Sequence, residues 1–496
     1  MFDATTVEKA IREESEKLIE RYNTYHNALH AEWTRNKKRI TSPPKKTVLK
    51  PDYWALDKKF DPFYCERKSK SIALSVAKKI RSGTYKPHSP HEKLIPKSSG
   101  GQRRLRIYQI PDAAISRLLY RRLLTKNKHR FSSFAYAYRD DRNVHFAIQD
   151  MAVELEDRDR AFVAEFDFSD FFGNISHNFL LNELRNHGLL LSDQDLALIK
   201  LFLNEKEGIP QGTSISLFLA NVACFTLDKR LEELGVKFAR YADDTVICTP
   251  SYDLACKAVQ ALFEFSRASG VPINYKKSAG IHLLTPSDFP AEIKSKDRFD
   301  FLGYAIGNGT IGIKHSSQNK IKKQISYLLY RNLIQPLRAP KLRAVTIPSS
   351  RKDEALLTAM MQTRRYICGG LYKRQLSNYA NGGGGQLRFK GAMSFYPLVN
   401  DIEQLQELDG WLVSTIHRAL RLRAKLLARH GFTRFSVFPF SVPHAALVRS
   451  FDRYRVRAKP LLEIPSFVLV QAAMRRALKE HGIHYVMNPQ SDPYTY

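Results

Sequence analysis

The five cysteines of this 496-residue chain, Cys65, Cys224, Cys248, Cys256 and Cys368, are scattered, with no Cys-x-x-Cys pair among them. That spacing argues against a cysteine-based zinc module and against a disulfide framework, and it fits a reducing compartment. No apolar run reaches the length of a membrane span. The opening MFDATTVEKAIREESEKLIERY is acidic and amphipathic and lacks the apolar core of a signal peptide. The expectation is therefore a cytoplasmic protein with no membrane partner. No repeat of fixed period runs through the chain. Negative charge is also scarce, with 49 Asp and Glu against 79 Lys and Arg, a net charge of +30. The basic residues are dispersed instead of gathered on one lipid-facing helix, so the polyanion that such a surplus calls for is nucleic acid.

The length allows two to four domains. Residues 1 to about 35 have helical periodicity, which NKKRITSPPKKTVLKP then breaks with paired prolines and clustered lysines, the composition of a basic linker. From about 90 to 315, strand-like runs such as RAFVAEFDF, VKFARYADDTVICT and RFDFLGYAIG alternate with helix-like ones such as SLFLANVACFTLDKRLEEL. That alternation predicts an α+β fold. Beyond about 320 the chain is mainly helical and rich in Arg and Lys, interrupted by the flexible composition NGGGG at 381–385.

RYADDTVIC at 240–248 sets two adjacent aspartates in a run where β-branched and aromatic residues should dominate. A polar hairpin turn would account for them alone. A second stretch changes the weight: in AEFDFSDFFGNISH, at 164–177, an apolar strand ends at Asp167. A hairpin carrying Asp243 and Asp244 beside that strand would bring three carboxylates together. They would repel one another without cations, and two Mg²⁺ are the natural occupants of such hard-oxygen sites. A metal pair about 4 Å apart stabilises both the attacking and the leaving oxygen of an in-line phosphoryl displacement, which is the chemistry of nucleotidyl transfer.

Over roughly residues 95–305 these segments, in order, resemble the palm and fingers of a bacterial reverse transcriptase. AEFDFSDFFGNI resembles the family's first aspartate motif, GIPQGTSISLFLAN at 208–221 its Gly-x-x-Gln-Gly motif and YADD at 241–244 its Tyr-x-Asp-Asp box. GVPINYKKS at 270–278 resembles the motif with a lysine near the triphosphate, and FLGY at 301–304 the hairpin that grips the primer. IPKSSGGQRRLRIYQIP and FAYAYRDDRNVHFAI look like fingers blocks. A lone Tyr-x-Asp-Asp is weak, whereas seven blocks in order are specific.

The resemblance implies a right-hand polymerase with fingers, an antiparallel-sheet palm and a helical thumb. It divides the chain into an N-terminal helical extension with basic linker at 1–90, fingers at 91–165, palm at 166–314, thumb at 315–430 and a C-terminal extension at 431–496. Asp167, Asp243 and Asp244 would be the catalytic metal ligands, joined by the backbone carbonyl of Phe168. Asp170, Asp140 and Asp141 are expected to face solvent or to pair with nearby arginines. Phe172 stands where the family carries the aromatic under the incoming sugar, and a large ring there would clash with a ribose 2′-OH. Gln211, in a turn whose glycines allow close backbone approach, would brace the template base or the nucleotide. Leu217 follows Ser216 where family members often have proline, which leaves the start of the next helix open. Arg106 matches the fingers arginine expected at the triphosphate, a role that a guanidinium fork suits and that Arg103 or Arg104 could also fill. Lys277 would bind the nucleotide and pass a proton to departing pyrophosphate, or remain a solvated lysine.

FKGAMSFYPLVNDIEQLQELDGWLVSTIHRALRLRAKLLARHG resembles a helical thumb. Leu405, Leu408, Leu412, Ile416 and Ala419 recur at helical steps, and Arg418, Arg421, Arg423, Lys425 and Arg429 crowd the remaining surface, as a duplex backbone contact would require. The long N-terminal region, the glycine interruption and the tail from 431 look like the defence-associated, abortive-infection-like group. That likeness implies antiphage function with a structured noncoding RNA as template, a cDNA product made from dNTPs, and an open question of homo-oligomerisation. The tail SDPYTY offers Tyr494 and Tyr496 as priming hydroxyls, beside the plain reading of tail tyrosines without a role. Two rival classes stand beside RNA-templated DNA synthesis. One is an untemplated DNA- or RNA-making polymerase, and the other a nucleic-acid-binding scaffold whose polymerase site is idle.

Overall fold

In the computed structural model, the structure describes residues 2–37, 47–96, 100–156, 158–203, 208–286, 291, 293–338, 353–456 and 458–488. Tyr494 and Tyr496 lie outside the described residues. The chain is α+β, and its described residues form two compact units, one of residues 2–29 and 47–297, the other of residues 30–37 and 298–488.

The first unit is built on a five-stranded sheet. Its strands are β3 (Ala161–Phe166), β4 (Lys237–Tyr241), β5 (Asp244–Thr249), β6 (Gly280–Leu284) and the short β7 (Ser295–Lys296), in the order β4-β5-β3-β6-β7 and antiparallel except for β6 with β7. A separate hairpin of β1 (His91–Pro96) and β2 (Gln102–Ile107) precedes it in the chain. β5 is buried from Thr245 to Thr249, as its β-branched and apolar run TVICT would lead one to expect. The helix Tyr252–Ser269 packs against β5 and β3, and the helix Val144–Glu156 against β4. Ser251 caps the first of these at its N-terminus, and Gly270, at φ +80°, closes it in a left-handed conformation that suits glycine.

The helix-like run SLFLANVACFTLDKRLEEL is two helices, Ile215–Ala223 and Phe225–Glu233, separated at Cys224. The Glu183 carboxylate accepts from the amide and hydroxyl of Thr226, so a first-turn donor of the second helix finds a partner outside it. The break is a tertiary effect that apolar periodicity does not record.

The second unit opens with an antiparallel meander of β8 (Arg298–Phe301), β9 (Tyr304–Gly307) and β10 (Ile311–Ile313). The hairpin in FLGY is tight: Leu302 at φ +47° and Gly303 at φ +89° are its two central residues, the backbone pattern of a type I′ turn. The 27-residue helix Ile402–Ala428 starts at Asp401, whose side chain caps it. It is anchored to β10 through Gln404, which accepts from the Ile313 amide at 2.7 Å and donates to the Ile313 carbonyl at 3.1 Å. Its buried face runs through Leu405, Leu408, Leu412, Ile416 and Leu420, so Leu420 takes the place expected for Ala419. Arg418, Arg421, Lys425 and Arg429 are exposed or half-buried, but Arg423 is neither. Its guanidinium is buried, donates twice to the Asp353 carboxylate at 3.0 Å and once to the Leu333 carbonyl at 2.9 Å, and is a core counterion instead of a surface charge.

Candidate active site

β3 and β5 pair in register, with Phe166 opposite Thr245. Asp167 leaves the end of β3 as Asp244 enters β5, so the two aspartate motifs meet at the adjoining ends of two neighbouring strands. β4 and β5 join through the two central residues Ala242 and Asp243, with Tyr241 paired to Asp244. Ala242 has φ +62°, the sign that a type II′ turn requires at its first central position and one usually left to glycine. Local propensity alone would not choose alanine there.

Asp167 is held from several directions. Its amide donates to Ser278 Oγ at 3.1 Å, its carbonyl accepts from the Asn274 amide at 2.8 Å, and its Oδ2 accepts from Asn274 Nδ2 at 3.0 Å. The Lys277 ammonium stands 3.1 Å from the same Oδ2. The family motif pointed to Lys277 but not to Asn274 or Ser278, whose polar side chains inside GVPINYKKS were the available signal.

Phe168 pairs with Ile273 in an isolated antiparallel bridge. The hydrogen bonds of that bridge run from Ser169 N to the Pro272 carbonyl and from Asn274 N to the Asp167 carbonyl, 2.8 Å each. Phe168 is thus the non-hydrogen-bonded member of the ladder, and its own carbonyl points away from residues 272–274. β3 has β6 on one side and β5 on the other, so this carbonyl points to the side from which the hairpin bearing Asp243 and Asp244 approaches.

Asp243 stands in a perturbing environment. Burial, with the Asp167 charge added to it, pushes its pKa up to about 6, while Lys277 and Arg103 pull in the other direction. A partly desolvated carboxylate beside a second carboxylate is a site short of positive charge. Among the described residues no three Asp, Glu, His or Cys side chains already stand as a metal cage, consistent with the Asp167 oxygen being turned to Lys277 and Asn274. The donor set of two or three carboxylates and one main-chain carbonyl, all hard oxygens, nonetheless fits a divalent cation of the Mg²⁺ type.

The nucleotide-side candidates are linked through the main chain. The Arg106 amide donates to the Gln211 carbonyl at 2.8 Å, and the Ile209 amide to the Phe172 carbonyl at 2.6 Å. Gly208, at φ +82°, lies so close to the 172–173 backbone that a Cβ would stand 2.5 Å from the Gly173 carbonyl oxygen. Arg106, Gln211 and the Phe172 segment therefore form one packed set. The Phe172 ring is 9% exposed and meets Tyr138 edge-on, with ring centroids 6.3 Å apart. A cavity of about 410 Å³ is lined by Arg104, Arg106, Gln211 and Asp170 among others. Strand alternation puts Arg104 and Arg106 on one face of β2 and Arg103 on the other. Arg104 and Arg106 line the cavity, while Arg103, on the opposite face, is among the charges that oppose the upward shift at Asp243. Of the remaining acids, Asp170 is exposed, Asp141 pairs with Arg139, and Asp140 faces solvent as expected while also pairing with Lys128.

Residues 95–306 match the family model described as reverse transcriptase (RNA-dependent DNA polymerase). Among curated proteins, the chain is 29% identical over 180 residues to Protein YkfC of Escherichia coli (strain K12), a match that covers 33% of this chain and 46% of that protein. It is 30% identical over 121 residues to the Retron Ec86 reverse transcriptase of Escherichia coli, covering 24% of this chain and 37% of that one. The chain thus spans less than half the length of these relatives. A solved telomerase from Candida tropicalis, in complex with a fragment of telomeric RNA, covers 89% of this chain and 72% of its own at 13% identity and a TM-score of 0.38.

Proposed function

We propose, for a chain whose residues 95–306 form a reverse transcriptase domain, that the whole protein is an RNA-directed DNA polymerase acting on dNTPs. The observation that carries this reading is the convergence of Asp167, Asp243 and Asp244 at the adjoining ends of β3 and β5, beside a Phe168 carbonyl directed to the same side. These four groups would hold two Mg²⁺. When bound, the cations would lower the pKa of the primer 3′-OH and neutralise charge on the phosphates.

The chain's own groups supply the rest. Arg103, with Arg106 behind it on β2, receives triphosphate oxygens. Gln211 braces the nascent pair without reading its sequence, since its loop is fixed by glycine contacts at 208 and 212. The Phe172 ring, wedged by Tyr138, occupies the space a ribose 2′-OH would need and selects deoxynucleotides. Lys277, ion-paired to Asp167, would be freed from that carboxylate once its charge is neutralised and would then protonate departing pyrophosphate.

At the level of biology, the reading is a bacterial cytoplasmic enzyme of antiphage defence that copies a structured noncoding RNA into cDNA. Primer extension with labelled dNTPs or NTPs, with and without an RNA template, tests the chemistry. RNA-dependent dNTP incorporation that Asp243→Ala abolishes is expected, and incorporation indifferent to that substitution would overturn the reading. Phage challenge of cells carrying wild type or Asp243→Ala, with sequencing of copurified nucleic acid, tests the biological role and names the template.

A further inference from the structure

The stretch RYADD carries a charge that the polymerase chemistry leaves unused. Arg240 is 1% exposed and its partner Asp228, on the helix Phe225–Glu233, 2%. The guanidinium grips both carboxylate oxygens, Nε to Oδ1 at 2.6 Å and Nη2 to Oδ2 at 2.5 Å. Nη1 donates to the Ala242 carbonyl at 3.1 Å, and both terminal nitrogens reach Asn221 Oδ1 at 3.5 Å. Every N–H of the fork is thereby directed at an acceptor. Asn221 in turn donates to the Ala137 carbonyl at 3.0 Å. The main chain of Arg240 is pinned as well, its amide donating to Phe134 at 3.0 Å and its carbonyl accepting from Tyr136 at 2.9 Å. The residue whose carbonyl is gripped is Ala242, at φ +62°, a conformation that a non-glycine residue keeps only where the surroundings impose it.

We propose that Arg240, anchored by Asp228, is a positioning residue that holds the Ala242–Asp243 turn, and with it the Asp243 carboxylate, in the arrangement used for nucleotidyl transfer. This rests on the polymerase reading above and deepens it. The ion pair fixes where the fork sits, and the remaining arm of the fork fixes the turn. An ion pair present only for stability could be exchanged for apolar side chains at little cost. The grip on the Ala242 carbonyl could not.

The test is the double substitution Arg240→Met with Asp228→Leu, which leaves no buried charge unpaired, made in the full-length protein. We expect it to keep a wild-type-like Tm while kcat for dNTP incorporation falls about 100-fold and KM for dNTP stays within about threefold. Hydrogen exchange of residues 241–244, followed by mass spectrometry on metal-free protein, should quicken in the variant while exchange in β3 does not. Should the apolar pair not fold, Arg240→Lys, which keeps the charge but not the fork, is expected to show the same separation of kcat from Tm. Wild-type kcat or unchanged exchange of the turn in a folded variant would overturn the proposal. Absence of Asp243-dependent synthesis in the wild type would instead sink the polymerase reading, and the exchange measurement would still judge the lock.

Discussion

Replacing Asp243 by asparagine should stabilise the metal-free protein, the opposite of what loss of a buried hydrogen-bonding group usually does. Asp243 titrates at about 6 in the fold against an ordinary 3.8, first because it is desolvated and then because Asp167 carries the same charge. The folded value lies above the unfolded one, so this carboxyl's contribution to stability is intact below about pH 4 and is lost as pH climbs through about 6. Once it is fully ionised the cost is about 3 kcal/mol, at roughly 1.4 kcal/mol for each tenfold change. The asparagine side chain has the same shape and no charge to desolvate. At about 2 °C per kcal/mol for a unit of this size, Asp243→Asn should raise Tm by about 6 °C at pH 7.5 in EDTA, and the difference should vanish near pH 4. Mg²⁺ should then reverse the order, because the cation stabilises the ionised wild-type site by mass action and has lost a ligand in the variant. Differential scanning calorimetry at three pH values, with and without Mg²⁺, is sufficient. A variant that is less stable than wild type at pH 7.5 in EDTA, or one that Mg²⁺ stabilises equally, would refute the account of Asp243 as an unneutralised metal ligand.

Three further outcomes follow from the geometry. Phe172→Val should open the space under the sugar and relax discrimination against NTPs by roughly 10- to 100-fold, measured as the ratio of kcat/KM for dNTP and NTP. Unchanged discrimination would reduce Phe172 to core packing. Arg103→Ala should raise KM for dNTP more than Arg106→Ala does, because Arg103 projects from the other face of β2 and its charge acts on Asp243, and the reverse order in steady-state kinetics would restore Arg106 as the triphosphate contact. Gly212→Ala would put a Cβ 2.5 Å from the Arg106 carbonyl oxygen at a residue with φ +111°. The expected loss is about 1–3 kcal/mol of stability by chemical denaturation, with weaker dNTP binding as β2 is pushed from the Gln211 loop.

The carboxylates were legible because strand propensity conflicts with their place in or directly beside strand-like runs, and such conflicts mark functional sites. Strand-like composition also placed β3 and β5, and a step of three to four residues placed the long helix, although its apolar stripe continues from Ile416 to Leu420 and not to Ala419. What sequence did not reveal depends on contacts distant in the chain. Arg103, Arg104 and Arg106 are three plausible phosphate ligands in one strand. Alternation separates Arg103 from the other two, but only the placement of the hairpin against the sheet decides which face meets Asp243. Asn274 and Ser278 act on Asp167 from more than a hundred residues away. Asp228 meets Arg240 because a helix breaks at Cys224, and nothing local in CFTLD announces that break.

The two buried arginines also refine the argument from charge. In a chain with 79 basic residues, each arginine is easily assigned to the polyanion. Yet Arg240 and Arg423 are both withdrawn from solvent, and each donates to one aspartate and one main-chain carbonyl, Arg240 to Asn221 as well. Because each takes an acid with it, removing both pairs from the count leaves the net charge at +30, and the surplus remains with the other residues. Arg418, Arg421, Lys425 and Arg429, on and just after the helix Ile402–Ala428, are therefore the residues to test in the salt dependence of the proposed nucleic-acid binding. Arg423 belongs with Arg240 as a group whose loss would be felt in the fold or in the placement of neighbouring backbone. A charge-reversal scan that treated all five cations at 418–429 alike would mistake the unfolding caused by Arg423 for a nucleic-acid contact.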